Sequence, residues 1–292
     1  MASITAQSAF KLNSGYELPL VGFGVYQIPA AEAEKATAEA LKVGYRHIDS
    51  AAAYKNEAAC GEAIRKSGVP RGDIFYTTKI PPGKNMGYEA AKAQIDTSLK
   101  EAGFDYLDLV LFHAPYGGSA VRKQVWKALV EAVEEGKVRS IGVSNYGVHH
   151  LDELEQHIKE LEAERGGPGK GGVLSVVQHE AHPWCVRKDI AEWSAKRNVA
   201  VEAYCPLVRG QRAEDKTLAK LSEKYGKTWA QVLTRWSLQK GFVPLPKSVT
   251  PSRIKDNFAV FDFELTPEEV AELETDEYSP IAWDPVKSGL DD

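Results

Sequence analysis

The chain has few cysteines and no long hydrophobic run. Its three cysteines, Cys60, Cys185 and Cys205, lie far apart in 292 residues and never form a CxxC pair. An odd and widely spaced set argues against a disulfide framework or a zinc site and favours a reducing compartment. No stretch approaches the roughly 18 apolar residues of a membrane span, and residues 1–15 lack the basic start and apolar core of a secretory signal. We therefore expect a cytoplasmic protein.

A strong charge of either sign is also missing. The formal net charge is -5, with 43% hydrophobic and 26% charged residues, which is an ordinary globular composition. Such a balance offers no broad basic surface for nucleic acid or for an anionic membrane. The His-Glu-Ala-His run at 179–182 lacks the HExxH spacing that places two histidines on one helical face, so we expect no metal site. Nothing in the sequence suggests an obligate protein partner.

Eight short apolar or β-branched runs alternate along the chain with segments of helical periodicity, such as residues 88–102. The runs cover residues 20–26, 45–49, 74–80, 107–113, 138–145, 174–182, 199–207 and 242–248. Continuous apolar strands that alternate with helices are typical of parallel βαβ units. Because eight such units make a (β/α)8 TIM barrel, the sequence predicts an α/β fold of this class.

Three segments lie outside the eight units. Residues 10–20 have the pattern of an N-terminal β-hairpin, and residues 227–240 that of an extra helix before the eighth strand. Residues 266–292 form a C-terminal tail that opens with a helix capped by Thr266. Because no Pro-, Gly- or Ser-rich linker divides the chain, we predict a single domain over residues 1–292.

Polar residues close or nearly close seven of the eight apolar runs. They are Asp49, Lys79, His113, Asn145, Gln178, Tyr204 and Lys247. In (β/α)8 enzymes the chemistry collects at the carboxyl ends of the strands. Capping of the following helix explains one such residue, but hardly seven on one rim, so a functional site is predicted there.

Four residues of this region suggest a mechanism. A phenol has a reference pKa near 10, and a neighbouring cation brings the pKa closer to neutrality. Tyr54 would then donate a proton, Lys79 would supply the cation, Asp49 would hold Lys79, and His113 would orient a substrate oxygen. This set can protonate a carbonyl oxygen but contains no strong nucleophile, which favours hydride transfer from a nicotinamide. The competing interpretations are a structural Asp49–Lys79 ion pair and a core histidine at 113.

A second group of residues favours phosphate binding. Lys247 leaves the eighth run, Thr250 suits the N-cap of a helix that opens with Pro251, and Arg253 lies in its first turn. Free N–H groups at a helix start attract phosphate, and the two cations add charge. The glycine-rich residues 165–172 follow a helix and lack the Ser or Thr of a phosphate loop, so we interpret them as a connector.

The chain resembles the aldo-keto reductase superfamily over nearly its whole length. The motifs that carry the resemblance are VGYRHIDSAAAYKNE (43–57), TTK (77–79), LVLFHAP (109–115), IGVSN (141–145), QHEAHP (178–183), AYCPL (203–207) and PLPKSVTPSRIKDN (244–257). The resemblance implies a (β/α)8 barrel closed at the bottom by the hairpin, and NADPH as the cofactor. It also implies a catalytic tetrad of Asp49, Tyr54, Lys79 and His113, with Tyr54 as the general acid.

The same resemblance implies where the cofactor lies. The implied cofactor residues are Gly24, Val25, Tyr26, Asp49, Ser144, Asn145, Gln178, Tyr204, Cys205, Pro206, Leu207, Lys247, Ser248, Val249, Thr250, Arg253 and Asn257. In this arrangement Ser144, Asn145 and Gln178 hold the nicotinamide carboxamide, and Tyr204 stacks on the ring. The 2′-phosphate is bound by Lys247, Ser248, Val249, Thr250 and Arg253, which favours NADPH over NADH, and the adenine by Asn257.

The expected substrate is a small carbonyl compound. The implied pocket consists of Tyr26, Tyr54, His113, Ala114 and Trp283. Tyr26 stands where many relatives carry Trp, which should change the shape of the pocket. Ala114 stands where several members carry Trp, which should widen it. Trp283 either reaches over the barrel mouth or packs on the exterior. Two alternatives stay open: an oxidoreductase selective for a sugar, polyol or keto acid, and a non-catalytic NADPH-sensing subunit.

Overall fold

The computed structural model describes residues 4–292 and has the predicted (β/α)8 architecture. An antiparallel hairpin pairs β1 (Ala9–Lys11) with β2 (Glu17–Pro19). The barrel strands are β3 (Phe23–Gly24), β4 (His47–Asp49), β5 (Phe75–Ile80), β6 (Leu107–Phe112), β7 (Val138–Ser144), β8 (Leu174–Glu180), β9 (Ala200–Tyr204) and β10 (Val243–Pro244). They form one parallel sheet in chain order. All eight predicted runs therefore contain a strand of this sheet.

Backbone hydrogen bonds close the sheet into a barrel between β3 and the segment that contains β10. Gly22 N–H donates to Pro244 O at 3.0 Å, and Gly24 N–H donates to Pro246 O at 3.1 Å. Gly22 allows this close approach, because a Cβ there would lie 2.5 Å from Leu245 Cδ2 and 2.6 Å from His47 Nδ1, and both side chains would have to shift. The seam therefore depends on a missing side chain.

Ten α-helices occur among the described residues. They are α1 (Ala30–Val43), α2 (Glu57–Lys66), α3 (Tyr88–Ala102), α4 (Ser119–Glu134), α5 (Val148–Arg165), α6 (Lys188–Ala195), α7 (Lys216–Tyr225), α8 (Trp229–Gln239), α9 (Pro251–Phe258) and α10 (Pro267–Leu273). The extra helix predicted over residues 227–240 is α8, and the predicted tail helix is α10, where Thr266 and Glu269 form a capping box. None of the helices in residues 4–292 is long and apolar enough to cross a membrane.

The hairpin covers the amino-terminal end of the barrel. Leu12 and Leu18 are almost completely buried and pack against interior residues of the strands. Asn13 Nδ2 also donates to Leu174 O at 2.8 Å, at the start of β8. The bottom of the barrel is therefore sealed, as the resemblance implied.

Side-chain alternation along the strands decides which residues face the barrel interior. On β6, Leu109 and Leu111 belong to the apolar interior, whereas Val110 and Phe112 pack in the layer between sheet and helices. Because neighbouring residues of a strand point to opposite faces, the same parity turns strand-end polar residues inward. Polar side chains consequently sit above an apolar floor.

Candidate active site

A buried ion pair lies at the centre of the predicted site. Lys79 Nζ, at the end of β5, donates to Asp49 Oδ1 at 2.7 Å and to Ser50 O at 2.7 Å. Both side chains are at least 95% buried, so the ammonium has no contact with bulk water to replace these partners. The predicted anchoring of Lys79 by Asp49 matches this geometry.

Tyr54 lies above this pair, at the end of a 3-10 turn that follows β4 (Ala52–Tyr54). The Lys79 ammonium is 5.1 Å from the centroid of the Tyr54 ring. Burial, followed by the nearby Asp49 carboxylate, nevertheless raises the pKa of Tyr54 well above its ordinary value. This direction is opposite to the one expected from the sequence, because burial of the phenol outweighs any effect of the neighbouring ammonium. Tyr54 is therefore fully protonated at neutral pH.

His113 faces Tyr54 across the barrel mouth. The two rings are 5.7 Å apart and nearly perpendicular. Burial, and then the Lys79 ammonium, lower the pKa of His113 to about 3, so its imidazole is neutral at pH 7. Nδ1 is buried, and no group of residues 4–292 forms a hydrogen bond with it. A neutral imidazole can donate one hydrogen bond to an oxygen above the site.

Asn145 connects several parts of the rim. It follows β7 with a φ of 63°, a left-handed conformation that asparagine tolerates better than most residues. In this conformation its N–H donates to Gln178 O at 2.8 Å and its Nδ2 donates to His113 O at 2.8 Å. Tyr204 donates its hydroxyl to Asn145 Oδ1 at 2.7 Å. The fold therefore brings these predicted residues together in one hydrogen-bonded network.

Below the rim lies an acid that the sequence interpretation missed. Glu202 is fully buried in β9, directly opposite Gln178 in the strand register. Gln178 Nε2 donates to Glu202 Oε2 at 2.6 Å and to Asp49 Oδ2 at 2.9 Å. Burial and the Asp49 carboxylate raise the pKa of Glu202 to about 8. A charged residue inside the apolar run 199–207 was the available signal, because buried acids need partners or a task.

The predicted phosphate-binding segment carries exposed cations, unlike the buried Lys79–Asp49 pair. Lys247 and Arg253 are exposed, and neither forms an ion pair with a carboxylate in the part of the chain that the structure describes. Thr250 occupies the N-cap of α9 as predicted, but its side chain makes no capping hydrogen bond. Its own N–H instead donates to Ser248 Oγ at 3.1 Å. The first-turn N–H groups and two cations are thus free to meet an anion, which fits a phosphate group.

Trp283 and Tyr26 form the outer walls of the site. The Trp283 ring lies 5.9 Å from His113 at a right angle, and the Tyr26 ring lies 5.0 Å from Tyr54. Of the two placements that the sequence left open, Trp283 thus takes the one over the barrel mouth. The side chains of Trp283 and Tyr26 are nearly half exposed.

The tail that carries Trp283 is held by buried charges. Glu180 is completely buried, and its carboxylate accepts the N–H of Ile281 at 2.6 Å and of Ala282 at 2.9 Å. Arg187 Nη2 binds Asp284 Oδ1 at 2.9 Å. These contacts hold the backbone on both sides of the Trp283 ring.

The remaining predicted residues differ in how much surface they offer. Val25, Ala114 and Ser144 have no accessible surface, so a bound molecule would touch them only after neighbouring groups moved. For Ala114 this argues against the expected role as a widened pocket wall. The other predicted cofactor residues at strand ends or on the loops that follow them are Gly24, Cys205, Pro206, Leu207 and Val249. Asn257 lies instead within α9, where its side chain is buried.

Comparisons with known proteins agree with this geometry. The aldo/keto reductase family profile matches residues 20–276. Glyoxal reductase from Bacillus subtilis is 39% identical over 265 residues, which cover 90% of this chain and 91% of that protein. The crystal structure of an aldo/keto reductase from Brucella melitensis is 41% identical, with a TM-score of 0.82, and the match covers 91% of this chain and 98% of that one.

A further solved structure bears on the cofactor. A Bombyx mori aldo-keto reductase in complex with NADP is 30% identical, with a TM-score of 0.81 and 92% coverage of each chain. The family uses NADP(H), which is the cofactor predicted from the sequence. With the family profile, the sequence identities and the barrel geometry in agreement, the chain belongs to the aldo/keto reductase family of oxidoreductases.

Proposed function

We propose that this protein is an NADPH-dependent reductase that converts aldehydes or activated ketones into alcohols. The arrangement of Tyr54 between the Lys79–Asp49 pair and the neutral His113 is the observation that carries the proposal. NADPH, when bound, supplies the hydride for the carbonyl carbon. Each remaining role belongs to a side chain of this protein.

In the proposed mechanism Tyr54 gives its hydroxyl proton to the substrate oxygen. The raised pKa of Tyr54 keeps the proton in place until negative charge develops on that oxygen. His113 donates a hydrogen bond to the same oxygen and orients the carbonyl group. Lys79 stabilises the phenolate that remains, and Asp49 holds Lys79 in position. A proton and a hydride are thereby added to one carbonyl group.

Two regions would hold the cofactor. Asn145 and Gln178 present amide oxygens and backbone groups near the tetrad, while Tyr204 offers a ring beside them. Lys247 and Arg253 would bind the 2′-phosphate, together with the uncapped N–H groups of α9. This second region would distinguish NADPH from NADH, because NADH has no phosphate at the 2′ position.

The pocket walls support small, largely apolar carbonyl substrates. Tyr26, Tyr54 and Trp283 surround the mouth with aromatic surface. Apart from Lys79, which is paired and buried, no cation belongs to the described pocket residues, and this argues against a dianionic substrate. The relation to glyoxal reductase makes small aldehydes the first compounds to test.

The test is reduction of a panel of aldehydes, ketones, sugars and keto acids, measured by NADPH absorbance. Tyr54→Phe should lower turnover about 100- to 10,000-fold, the usual contribution of a positioned general acid. Tyr76→Phe is the matched control, since it removes a buried phenol from β5 that has no proposed role. Near-normal turnover by Tyr54→Phe would contradict the proton-donor assignment.

A further inference from the structure

We propose that Glu202 is a positioning residue that holds the Gln178 amide so that only its oxygen faces the cofactor. The inference rests on the proposed function and assigns a role within the same site. Glu202 forms no hydrogen bond with Tyr54 or His113, and its hydrogen bond to Gln178 connects it to the proposed cofactor site.

The geometry uses both hydrogens of the Gln178 amide nitrogen. One points to Asp49 Oδ2 at 2.9 Å and the other to Glu202 Oε2 at 2.6 Å. Asp49 is also the partner of Lys79, so its oxygens act as acceptors. The amide nitrogen, and not the amide oxygen, must therefore occupy the position between the two carboxyl groups.

This arrangement gives Gln178 a fixed polarity. No donor among residues 4–292 forms a hydrogen bond with Gln178 Oε1, which remains able to accept one. The side chain can then receive the N–H side of a carboxamide but cannot donate to its oxygen. A nicotinamide carboxamide has one donor side and one acceptor side. Because Gln178 Oε1 can only accept, it binds the donor side and thereby selects one of the two orientations of the ring.

Glu202 keeps this role when it is neutral. Burial raises its pKa to about 8, but a protonated carboxyl group still accepts through one oxygen. Its other oxygen lies 3.5 Å from His47 Nε2, and burial lowers the pKa of His47 to about 4. Neither group therefore adds a full charge beside Lys79 and Asp49 at neutral pH.

Without Glu202 one hydrogen of the Gln178 amide would lose its partner. A buried donor without an acceptor is costly, and the amide would pivot toward another one. Asp49 alone would then hold the side chain, which leaves a second N–H free to compete at the cofactor face. The expected result is a looser and less selective carboxamide site, with Tyr54 and Lys79 unchanged.

Glu202→Met tests this inference, because methionine has a similar shape and no strong acceptor. We expect the dissociation constant for NADPH, measured by quenching of tryptophan fluorescence, to rise about three- to tenfold. With NADPH deuterated separately on each face of C4, the variant should transfer label from both faces, whereas the unmodified protein should use one. Glu202→Gln should restore both properties, because its amide oxygen can accept from Gln178.

Other outcomes separate this inference from the proposed function. An unchanged NADPH affinity with single-face transfer in Glu202→Met overturns the role of Glu202 and leaves the reductase assignment intact. If the unmodified protein reduces no carbonyl, the reductase proposal fails, while the binding comparison still decides about Glu202.

Glu202→Thr, which is smaller and cannot reach Gln178, replaces the methionine variant if that variant does not fold, and the same weakened binding is expected. Equal losses in Glu202→Gln and Glu202→Met would also contradict the hydrogen-bond explanation.

Discussion

The reaction centre and the segment 247–257 both place cations at the carboxyl end of the barrel, yet they treat those cations in opposite ways. Lys79 is buried and bound by Asp49 and a backbone carbonyl. Lys247 and Arg253 are exposed and have no carboxylate partner in the described part of the chain. The first cation is a structural part of the barrel, whereas the other two are available to a ligand.

This difference shows how burial decides what a charge can do. A buried ammonium needs permanent partners, because an unpaired charge in the interior costs several kcal/mol. Tyr54 lies beside Lys79, and burial of the phenol, followed by the Asp49 carboxylate, raises the pKa of Tyr54 instead of lowering it. An exposed cation without a partner costs little free energy, and it can therefore bind a phosphate. Removing Lys79 should therefore affect stability and turnover, whereas removing Lys247 and Arg253 should affect cofactor binding.

The largest expected effect follows from Lys79→Met. This change leaves Asp49 buried without its cation, so we expect the free energy of unfolding to fall by about 3–5 kcal/mol and turnover to be lost. Urea denaturation followed by tryptophan fluorescence measures the stability.

Lys66→Met is the matched control for that experiment. Lys66 pairs with Glu34 and Glu62, but all three side chains are substantially exposed. An exposed ion pair contributes little to stability, so this variant should stay close to the unmodified protein. A similar small loss in both variants would show that the buried pair is not structurally important.

The next effect concerns the exposed cations. Lys247→Ala combined with Arg253→Ala should weaken NADPH binding about 10- to 150-fold, the range for losing one charged hydrogen bond, and leave NADH binding and stability unchanged. Titration calorimetry with both cofactors measures the change. Lys255→Ala, which removes an exposed cation elsewhere on α9, should preserve the NADPH preference. An intact preference in the double variant would mean that the 2′-phosphate binds elsewhere.

The smallest effect should come from the tail, at the outer edge of the reaction centre. Trp283→Ala removes an aromatic wall beside His113, and loss of roughly 1 kcal/mol of apolar contact corresponds to about a fivefold rise in KM for aromatic aldehydes. NADPH affinity should not change. Tyr16→Ala, at the opposite end of the barrel, should leave KM unaffected. An unchanged KM in Trp283→Ala would remove the tail from the substrate pocket.

The sequence predicted best what strand parity controls. Asp49, Lys79 and Gln178 lie at or near the ends of apolar strands, and alternation along those strands turns all three toward one interior, where they form hydrogen bonds. The helix start at Thr250 was also visible, because proline at the following position is typical of a first helical turn.

Properties that depend on contacts between distant segments were harder to predict. Glu202 contacts Gln178 because β8 and β9 are neighbouring strands. Trp283 contacts His113 because Glu180 holds the tail backbone. Local periodicity cannot show such pairings, since the partners lie far apart along the chain.

The amino-acid sequence by itself determined the eight alternating units, the interior polar residues and the reductase motifs. These features depend on local periodicity and on residue type, which folding does not change. The tertiary structure alone decided which charges are paired and which groups are buried, and burial makes Tyr54 hold its proton more tightly than expected. Burial and the distance between charged groups set a pKa, and both exist only after the strands have closed into a barrel.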